Sequence, residues 1–573
     1  MNLLKRIERS TLLLAAIGAV LYWAALPPLG IAILGFVAPV AWIRLIRFRR
    51  LPGRAPYWTL YLVGVLWFLA MFHFLRLPHW STSIAWVLAA LYFGMYLPIF
   101  IALCRVAVHR LKISVVLAAP VVWTAIELAK EYVLTGCSAA ALGHTQYETL
   151  ELIQIADLAG AHGVSFLLML IAAAIGRTIP LSRVARPMPL PCDRRPVIWP
   201  LAVAAIVLTF AWFYGTARIT GIKSSLADEK KPQWRVVLIQ GNIDSQIKSD
   251  PEMLERVQDE YEQLTRTAVK EVDNYDLIVW PETMFRYPII SEFPNDDGYT
   301  PMSIYGDGYQ RLNRLREDVG RPMLLGIDHL YINRNLPPEK QIEHFWNSAI
   351  LVLPNGYING TYNKQHLVIC GEYMPLARQF PWLMNFTPLS VNMSPGTRAQ
   401  SLIVPPRNER ERPLRIAPNI CFESYLSRVI RGQVNELIAR SESPDVMVNV
   451  TNDGWFYGSS QLDLHLINAV FRAVECRRPF LIAANTGISA VIAPTGQIVE
   501  QAERRTSTHI VADVTPSQRS SVYLRTGDIF SGICLAASIG FGLAGFTGRK
   551  RRRRRRQLRK IFKTPLPRTE TKD

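Results

Sequence analysis

The feature that most constrains this chain is the uneven distribution of its apolar residues along 573 positions. They concentrate in Thr11–Tyr214 and again in Ile529–Phe546, while Thr216–Arg525 has the mixed composition of an ordinary globular domain. A helix needs about 20 mostly apolar residues to cross a bilayer. Eight segments come near that length, and they predict a polytopic membrane protein with about eight transmembrane helices. The segments are Thr11–Leu26, Leu29–Ile43, Tyr57–Phe74, Ser83–Leu103, Ser114–Leu134, Ala161–Ile175, Val197–Tyr214 and Ile529–Phe546.

The basic residues indicate how these helices are oriented. The chain has a formal net charge of +19, but its Lys and Arg residues lie in short clusters between apolar segments and in a tail. That placement favours a membrane surface, so we expect no nucleic-acid partner. Cytoplasmic loops are rich in Lys and Arg, and eight crossings then put both termini in the cytoplasm and Thr216–Arg525 outside. The clusters are Lys5–Arg9, Arg44–Arg54, Arg105–Lys112, Arg177–Arg195 and Arg549–Lys560.

The same pattern predicts four parts along the chain. Residues 1–215 carry transmembrane helices one to seven, and residues 216–527 form an extracytoplasmic catalytic domain. Residues 528–548 form the eighth transmembrane helix, and residues 549–573 form a polybasic cytoplasmic tail. The tail is most simply a topology signal bound to anionic lipid, with a partner-binding role as the alternative.

One predicted transmembrane helix carries charges near its outer end, at Glu127, Lys130 and Glu131. Two interpretations stay open for them. The long side chains reach into the lipid headgroups from a helix end, or they line a substrate entrance.

Short β-branched runs alternate with amphipathic stretches in the exported part. RVVLIQGNI and YDLIVWPET are typical of buried strands, as are MLLGI, NSAILVLP, LRIAPNI, DVMVNVTND and FLIAAN. Met253–Val272 and Leu464–Arg477 have apolar residues at helical spacing. This alternation predicts an α/β or layered sandwich domain.

Polar residues at three strand ends supply the groups that nucleophilic catalysis needs. Glu282 lies in WPET just after a hydrophobic strand, Lys364 lies in YNKQHLV, and Cys421 follows the strand LRIAPNI. A carboxylate can accept the thiol proton, and an ammonium group can lower the thiol pKa and stabilise an oxyanion. The three groups form a chemically complete set for acyl transfer through a thioester. The residues alone leave an alternative, in which Cys421 is a small buried apolar residue and Glu282 a solvated turn residue.

A series of motifs resembles a known family. QGNI, WPET, YNKQHLV-x-x-GE, CFES, NDGWF and RPFLIAANTGISAVIAPTG occur in this order and resemble the carbon-nitrogen hydrolase (nitrilase) superfamily. LPPLG between the first two apolar segments, GVSFLL in Gly163–Leu168 and YLRTGDIF before the last segment are similar to the apolipoprotein N-acyltransferase family, its membrane-embedded branch. The resemblance covers nearly the whole chain apart from the basic tail.

The resemblance implies a fold and a reaction. The fold is an α-β-β-α nitrilase-like sandwich, held by eight helices on the periplasmic side of a bacterial cytoplasmic (inner) membrane. Family members take an acyl chain from a membrane phospholipid, hold it as a thioester, and pass it to the α-amine of a diacylglyceryl-modified cysteine in an apolipoprotein. The resemblance implies neither a metal nor another cofactor.

The resemblance also assigns residues. The catalytic Glu, Lys and Cys of the family fall on Glu282, Lys364 and Cys421. Two supporting acids fall on Glu372 and Glu423, and Glu372 is expected to orient either Lys364 or the base. For Trp455 and Phe456, contact with lipid at the entrance and packing in the core are equally open.

The sequence departs from the family pattern at three places. Ser249 stands where a Trp is usual, Thr135–Gly143 replaces the usual outer-loop motif, and Ile369-Cys370 replaces Pro-Phe. These changes spare the three catalytic positions and put substrate contacts in doubt.

Two other functions compete with acyl transfer. A membrane-tethered amidase or nitrilase would use the same three residues with water in place of the amine. A transporter or sensor with a solute-binding domain would need no nucleophile, but charge within the apolar segments is sparse and no inverted repeat is visible.

Overall fold

The structure is a computed structural model that describes residues 10–134, 136–180, 198–226, 233–244, 251–292, 302–337, 340–387, 392–407 and 412–561. Every predicted apolar segment is helical within these residues. The helices of the first half are α1 Thr11–Ala24, α2 Leu34–Arg47, α3 Pro56–Met71, α4 Thr82–Gly94, α5 Tyr96–His109, α6 Val115–Tyr132, α7 Ala156–Thr178 and α8 Trp199–Leu226. The later helices are α9 Leu254–Glu271, α10 Gly308–Val319, α11 Ser427–Ala439, α12 Gln461–Cys476 and α13 Ile529–Ile561, with single-turn helices at Leu150–Ile153 and Val522–Thr526.

Three helical stretches in the described part of the chain are long and apolar enough to cross a membrane. They are Thr82–His109, which joins α4 and α5, Ala156–Thr178 and Trp199–Ser225. Thr11–Ala24, Pro56–Met71 and Ile529–Gly545 are apolar but shorter. The structure therefore identifies apolar helices of membrane-spanning character, and the count of eight crossings stays a prediction.

The helix ends that carry the basic clusters gather on one side of the bundle. Arg47 at the end of α2 donates to the carbonyl oxygens of Gly176 and, at 2.7 Å, Ile179 near the end of α7. Arg110, just past α5, donates to the carbonyl oxygen of Gly545 in α13 at 2.6 Å. His109 at the end of α5 lies 2.8 Å from the carbonyl oxygen of Ile46 in α2, so the ends of α2, α5 and α7 lie together beside Gly545 of α13. Arg47 is a cation at the C-terminal end of α7, where the helix dipole favours positive charge.

Helix α7 starts with a kink that sequence periodicity did not reveal. Ala159 and Gly160 have non-helical backbone angles, and φ at Gly160 is +66°. A Cβ atom there would lie 2.7 Å from the Tyr523 ring, so only glycine fits between the kink and that ring. This explains why the regular apolar pattern begins only at Ala161.

Two mixed β-sheets form the globular domain. The larger sheet has the order β14-β1-β2-β5-β3-β4, and β6 and β7 continue it from the other side of β5. Its strands are β1 Trp234–Gln240, β2 Leu277–Val279, β3 Phe285–Glu292, β4 Met302–Ile304, β5 Met323–Ile332, β6 Ile342–Val352, β7 Ile358–Asn363 and β14 Thr508–Val514. The smaller sheet has the order β13-β12-β11-β10-β9-β8. Its strands are β8 Leu402–Val404, β9 Leu414–Ile420, β10 Val446–Thr451, β11 Phe480–Ala484, β12 Ala490–Ile492 and β13 Ile498–Gln501.

Apolar side chains of the two sheets meet in a common core. Val236, Leu351, Ile416 and Val448 are among its fully or almost fully buried members. Helices α9 and α10 cover the outer face of the larger sheet through a second apolar cluster. Helices α11 and α12 cover the outer face of the smaller sheet. The domain is therefore an α-β-β-α sandwich, which confirms the predicted layered α/β fold.

The sandwich is joined to the bundle of apolar helices by one uninterrupted apolar core. Side chains of α12, of the smaller sheet and of helices α1 to α7 belong to the same buried cluster. Every residue of α12 except Asp463 is buried. At its C-terminal end, Arg477 forms a buried ion pair with Asp157 of α7 at 2.6 Å. Helix α12 is thus an interior element of the whole protein.

The charges on α6 lie in this junction and not among headgroups. Glu127, Lys130 and Glu131 are all buried. Glu127 accepts hydrogen bonds from the Trp123 indole at 2.9 Å and from the backbone N–H of Leu142 at 2.8 Å. Together with His144 they line a cavity with room for about one water molecule. The headgroup interpretation is wrong because the chain after α6 folds back over these residues, which helical periodicity cannot reveal.

Candidate active site

The candidate site lies at the carboxyl ends of parallel strands from both sheets. Strands β9, β10 and β11 are parallel neighbours that end at Ile420, Thr451 and Ala484. In the larger sheet, β2 and β3 lie end to end along one side of β5. The segment between them carries Glu282, and it packs so closely on β5 that a Cβ atom at Gly326 would lie 2.2 Å from the carbonyl oxygen of Pro281.

Glu282 is held by two hydrogen bonds in a nearly closed environment. Its side chain is 9% exposed. One carboxylate oxygen accepts from the side-chain amide of Asn347 in β6 at 2.6 Å. The other accepts from the backbone N–H of Asn452 at 2.8 Å. The carboxylate therefore has a fixed direction, as a general base requires.

Lys364 follows β7 and lies between two carboxylates. Its Nζ is 2.6 Å from Oε1 of Glu372 and 3.7 Å from Oε1 of Glu282. Burial lowers the pKa of Lys364, but the charges of Glu372, Cys421 and Glu282 outweigh burial and the pKa is raised above its ordinary value. The lysine is therefore a cation fixed inside the protein.

The second acid orients Lys364 directly. Glu372 accepts from Lys364 with one oxygen and from the backbone N–H of Val368 at 2.9 Å with the other. Asn347 also donates to Glu372, at 3.4 Å, so the same amide contacts both acids. Glu372 was expected to orient either Lys364 or the base Glu282. The geometry favours Lys364, because Glu372 is linked to Glu282 only weakly, through Asn347.

Cys421 is the first residue of a 3-10 turn, Cys421–Tyr425, directly after β9. It is half-buried, and its φ of +50° is unusual for a residue with a side chain. The sulfur lies within electrostatic range of Glu282 and Lys364. The structure thus brings the three predicted residues together.

Burial and the Glu282 carboxylate raise the pKa of the Cys421 thiol well above its ordinary value. Lys364 lowers this pKa, as predicted, but it offsets the other two effects only in part. The sequence did not indicate the net increase because the cost of desolvating a thiolate depends on burial in the assembled site. The resting residue is a neutral thiol that must lose its proton during attack.

Because of this raised pKa, the rate of Cys421 alkylation should depend on pH. Only the thiolate reacts with iodoacetamide, and a neutral thiol loses protons as pH rises toward its pKa. We therefore expect alkylation of Cys421 to accelerate about tenfold per unit between about pH 7 and pH 9, with no plateau. Mass spectrometry of the Cys421 peptide measures this rate separately from other thiols. A plateau at neutral pH would contradict the assigned direction.

Glu423 supports the turn from behind and does not contact the predicted reacting groups. It is fully buried. Its carboxylate accepts from the Tyr362 hydroxyl at 2.8 Å and from the backbone N–H groups of Ile420, Gln365 and His366 at 2.7, 2.8 and 3.0 Å. These bonds tie the strand before Cys421 to the segment that carries Lys364.

Loss of Glu423 should therefore destabilise the domain. Glu423→Ala leaves a buried hydroxyl and three backbone N–H groups without their acceptor, at a cost of about 3 kcal/mol. We expect a clearly lower thermal midpoint in detergent, whereas Glu503→Ala at an exposed position should leave the midpoint unchanged. Equal midpoints for the two variants would show that Glu423 does not carry this connection.

The remaining predicted positions lie in different parts of the chain. Phe456 packs edge-on against Phe74 of the membrane-helix bundle, with ring centroids 5.7 Å apart. Trp455 is half-buried, and Ile369-Cys370 forms a turn two residues before Glu372. Ser249 and Thr135 lie outside the described residues. A lipid contact by Trp455 or Phe456 stays a prediction.

Two asparagines of the site were missed by sequence reasoning. Asn452 belongs to the NDGWF motif, which was a signal for it, but the prediction from this motif named only Trp455 and Phe456. Asn347 lies inside a strand, and nothing in the residues around it marks it. Its role appears only when β6 is placed beside β5 and Glu282.

Two family models and several known proteins are similar to this chain. The family model described as carbon-nitrogen hydrolase matches residues 235–523. The model described as apolipoprotein N-acyltransferase N-terminal domain matches residues 18–174. The chain is 30% identical to the apolipoprotein N-acyltransferase of Geobacter metallireducens over 93% of this chain and 94% of that protein. It is 28% identical to that of Rhodopirellula baltica over 92% and 96%.

A solved structure of Saccharomyces cerevisiae Nit3, a member of the nitrilase superfamily, is similar with 17% identity and a TM-score of 0.35 over 50% of this chain and 91% of that chain. The match to the family model shows that residues 235–523 form a carbon-nitrogen hydrolase domain. The chain as a whole belongs to the apolipoprotein N-acyltransferase family.

Proposed function

We propose that the protein moves an acyl chain from a membrane phospholipid, through a thioester on Cys421, to the α-amine of the diacylglyceryl-cysteine at the N terminus of lipoproteins. The observation that carries the proposal is the arrangement of Glu282 and Lys364, 3.7 Å apart, within electrostatic range of the Cys421 sulfur. Family membership supports the acyltransferase activity and the lipoprotein substrate. The site needs no group besides its own side chains for this chemistry.

The first half-reaction forms the acyl-enzyme. Glu282 takes the thiol proton as the sulfur attacks the phospholipid ester carbonyl, and Lys364 stabilises the resulting oxyanion. The intermediate then breaks its bond to the alkoxy oxygen, which receives the proton from Glu282 and leaves as lysophospholipid. Glu372 keeps the ammonium group of Lys364 in position.

The second half-reaction reverses this order with a different nucleophile. Glu282 accepts a proton from the attacking amine of the lipoprotein, and Lys364 again stabilises the oxyanion. The carbon–sulfur bond breaks, an amide forms, and the proton returns to the Cys421 sulfur.

The proposed topology has eight crossings, with residues 216–527 on the periplasmic side of the bacterial inner membrane. It is supported by the two distinct ends of the helix bundle. At one end, Arg47 binds the end of α7 and Arg110 binds the Gly545 carbonyl of α13. The sandwich attaches at the other end, where Gln154 donates to the carbonyl oxygen of Thr495 at 2.8 Å. The proposed segments are 1–215, 216–527, 528–548 and 549–573, although α8 continues to Leu226 and α13 to Ile561.

Labelling of introduced cysteines tests the topology. Glu500→Cys lies on the sandwich and Arg54→Cys on the basic side, and both positions are exposed. We expect a membrane-impermeant maleimide to label Glu500→Cys in intact spheroplasts and Arg54→Cys only after permeabilisation. The reverse pattern would overturn the orientation.

Incubation with labelled phospholipid alone tests the activity. A transferase should form about one acyl-enzyme per molecule and then stop, and added diacylglyceryl-cysteine peptide should receive the label as an amide. Steady release of free fatty acid without peptide would instead indicate a membrane-tethered carbon-nitrogen hydrolase.

A further inference from the structure

The backbone at the nucleophile is held in a conformation that it would not adopt by itself. Residues with a side chain rarely have positive φ, and such positions persist only where the surroundings fix them. The carbonyl oxygen of Cys421 accepts from the Ser424 hydroxyl at 3.1 Å and from the Asn449 amide at 3.2 Å. These two bonds to one carbonyl oxygen help to hold the turn, in addition to the bond from the Ile420 N–H to Glu423.

The Ser424 hydroxyl continues into a buried chain of polar groups. Its oxygen lies 2.9 Å from Nε2 of His465 in α12. The other ring nitrogen, Nδ1, lies 3.1 and 3.3 Å from the two carboxylate oxygens of Asp453. All three residues are buried, at 0%, 2% and 1% exposure.

The contacts form one continuous chain that ends at the turn of the nucleophile. The Ser424 hydroxyl donates to the Cys421 carbonyl oxygen, and the same hydroxyl oxygen is in hydrogen-bond contact with Nε2 of His465. A carboxylate only accepts, so Nδ1 of His465 donates to Asp453. The histidine thus bridges the Asp453 carboxylate and the Ser424 hydroxyl.

We propose that Asp453 and His465 are positioning residues, which hold the Cys421 turn through Ser424 and so present the sulfur to the acyl donor. The NDGWF segment then serves both reacting groups, because Asn452 directs Glu282 and Asp453 directs the cysteine turn. This inference rests on the proposed function of Cys421 as the nucleophile.

The chain can be disturbed without removing any of its members. A Cβ atom at Gly487 would lie 2.4 Å from Oδ2 of Asp453, so Gly487→Ala displaces that carboxylate. The matched control is Gly432→Ala in α11, where a Cβ atom meets nothing within 4 Å. His465→Leu removes both ring nitrogens, and His465→Gln keeps a polar amide that can reach Ser424.

Two rates, one half-saturating concentration and one thermal midpoint are measured on the full-length protein in detergent. They are acyl-enzyme formation at saturating phospholipid, its half-saturating concentration, alkylation of Cys421 by iodoacetamide, and the thermal midpoint. We expect His465→Leu and Gly487→Ala to slow acylation and alkylation at least tenfold by similar factors, with an unchanged half-saturating concentration. Gly432→Ala should match the wild type, and His465→Gln should lose less than His465→Leu.

A double variant separates positioning from general damage. If Ser424 and His465 act as one chain, Ser424→Ala combined with His465→Leu should be no slower than the slower single variant. Multiplied losses, or wild-type acylation and alkylation in folded Gly487→Ala, would overturn the inference. If His465→Leu does not fold, Gly487→Ala decides alone. Absence of acyl label on wild-type Cys421 would instead overturn the proposed function.

Discussion

Cys421→Ala should abolish the acyl-enzyme, with a loss of at least about 10³-fold in the rate of label transfer from phospholipid. The reason is that an alanine offers no atom for the thioester, and Cys421 is the thiol whose charge acts on Lys364. The bound label in the wild type should be released by hydroxylamine, as a thioester requires. The measurement is the labelled protein before and after hydroxylamine treatment.

The matched control is Cys534→Ala, which removes a buried thiol from α13. It should retain both the acyl-enzyme and the transfer to peptide. Hydroxylamine-sensitive label on folded Cys421→Ala would show that another residue is the nucleophile, and the proposed mechanism would then be wrong.

Glu282→Gln and Lys364→Met should each slow acyl-enzyme formation by about 10²- to 10⁴-fold. Glutamine keeps the size of Glu282 and an oxygen for Asn347, but it cannot take the thiol proton. Methionine keeps the apolar stem of Lys364 and removes the cation that opposes the oxyanion charge. Rapid-quench measurement of the labelled enzyme gives these rates without interference from later steps.

The two variants should differ in their thermal midpoints. Lys364→Met leaves Glu372 and Glu282 facing each other without a cation, so we expect a lower midpoint for it than for Glu282→Gln. Lys340→Met, at an exposed position, serves as the control for loss of a positive charge. Acylation within threefold of the wild type in either site variant would remove that residue from the mechanism.

Local sequence patterns predicted much of the fold because they record which side chains avoid water. RVVLIQGNI became β1, and Met253–Val272 became α9 almost to the residue. The apolar segments are helices, and the layered α/β architecture is confirmed. Patterns did not predict that β2 and β3 share one side of β5, because strand pairing depends on long-range packing that periodicity does not record.

The family resemblance was confirmed by the comparisons, and the positions it assigned to Glu282, Lys364 and Cys421 converge in space. Their catalytic roles remain a proposal. The hydrogen bonds that direct them could not be predicted, since Asn347, Asn452 and His465 reach the site from three separate elements. The raised thiol pKa was missed for a related reason: burial is a property of the assembled site.

Helix α12 has no face turned toward water, because the smaller sheet covers one side and the bundle covers the other. Residues 216–527 expressed alone would expose a large apolar surface and should aggregate unless a detergent or lipid covers it. In the intact protein, heat should melt sandwich and bundle in a single cooperative event. A detergent that destabilises the helix bundle should therefore also reduce enzyme activity, even if it makes no contact with the catalytic groups.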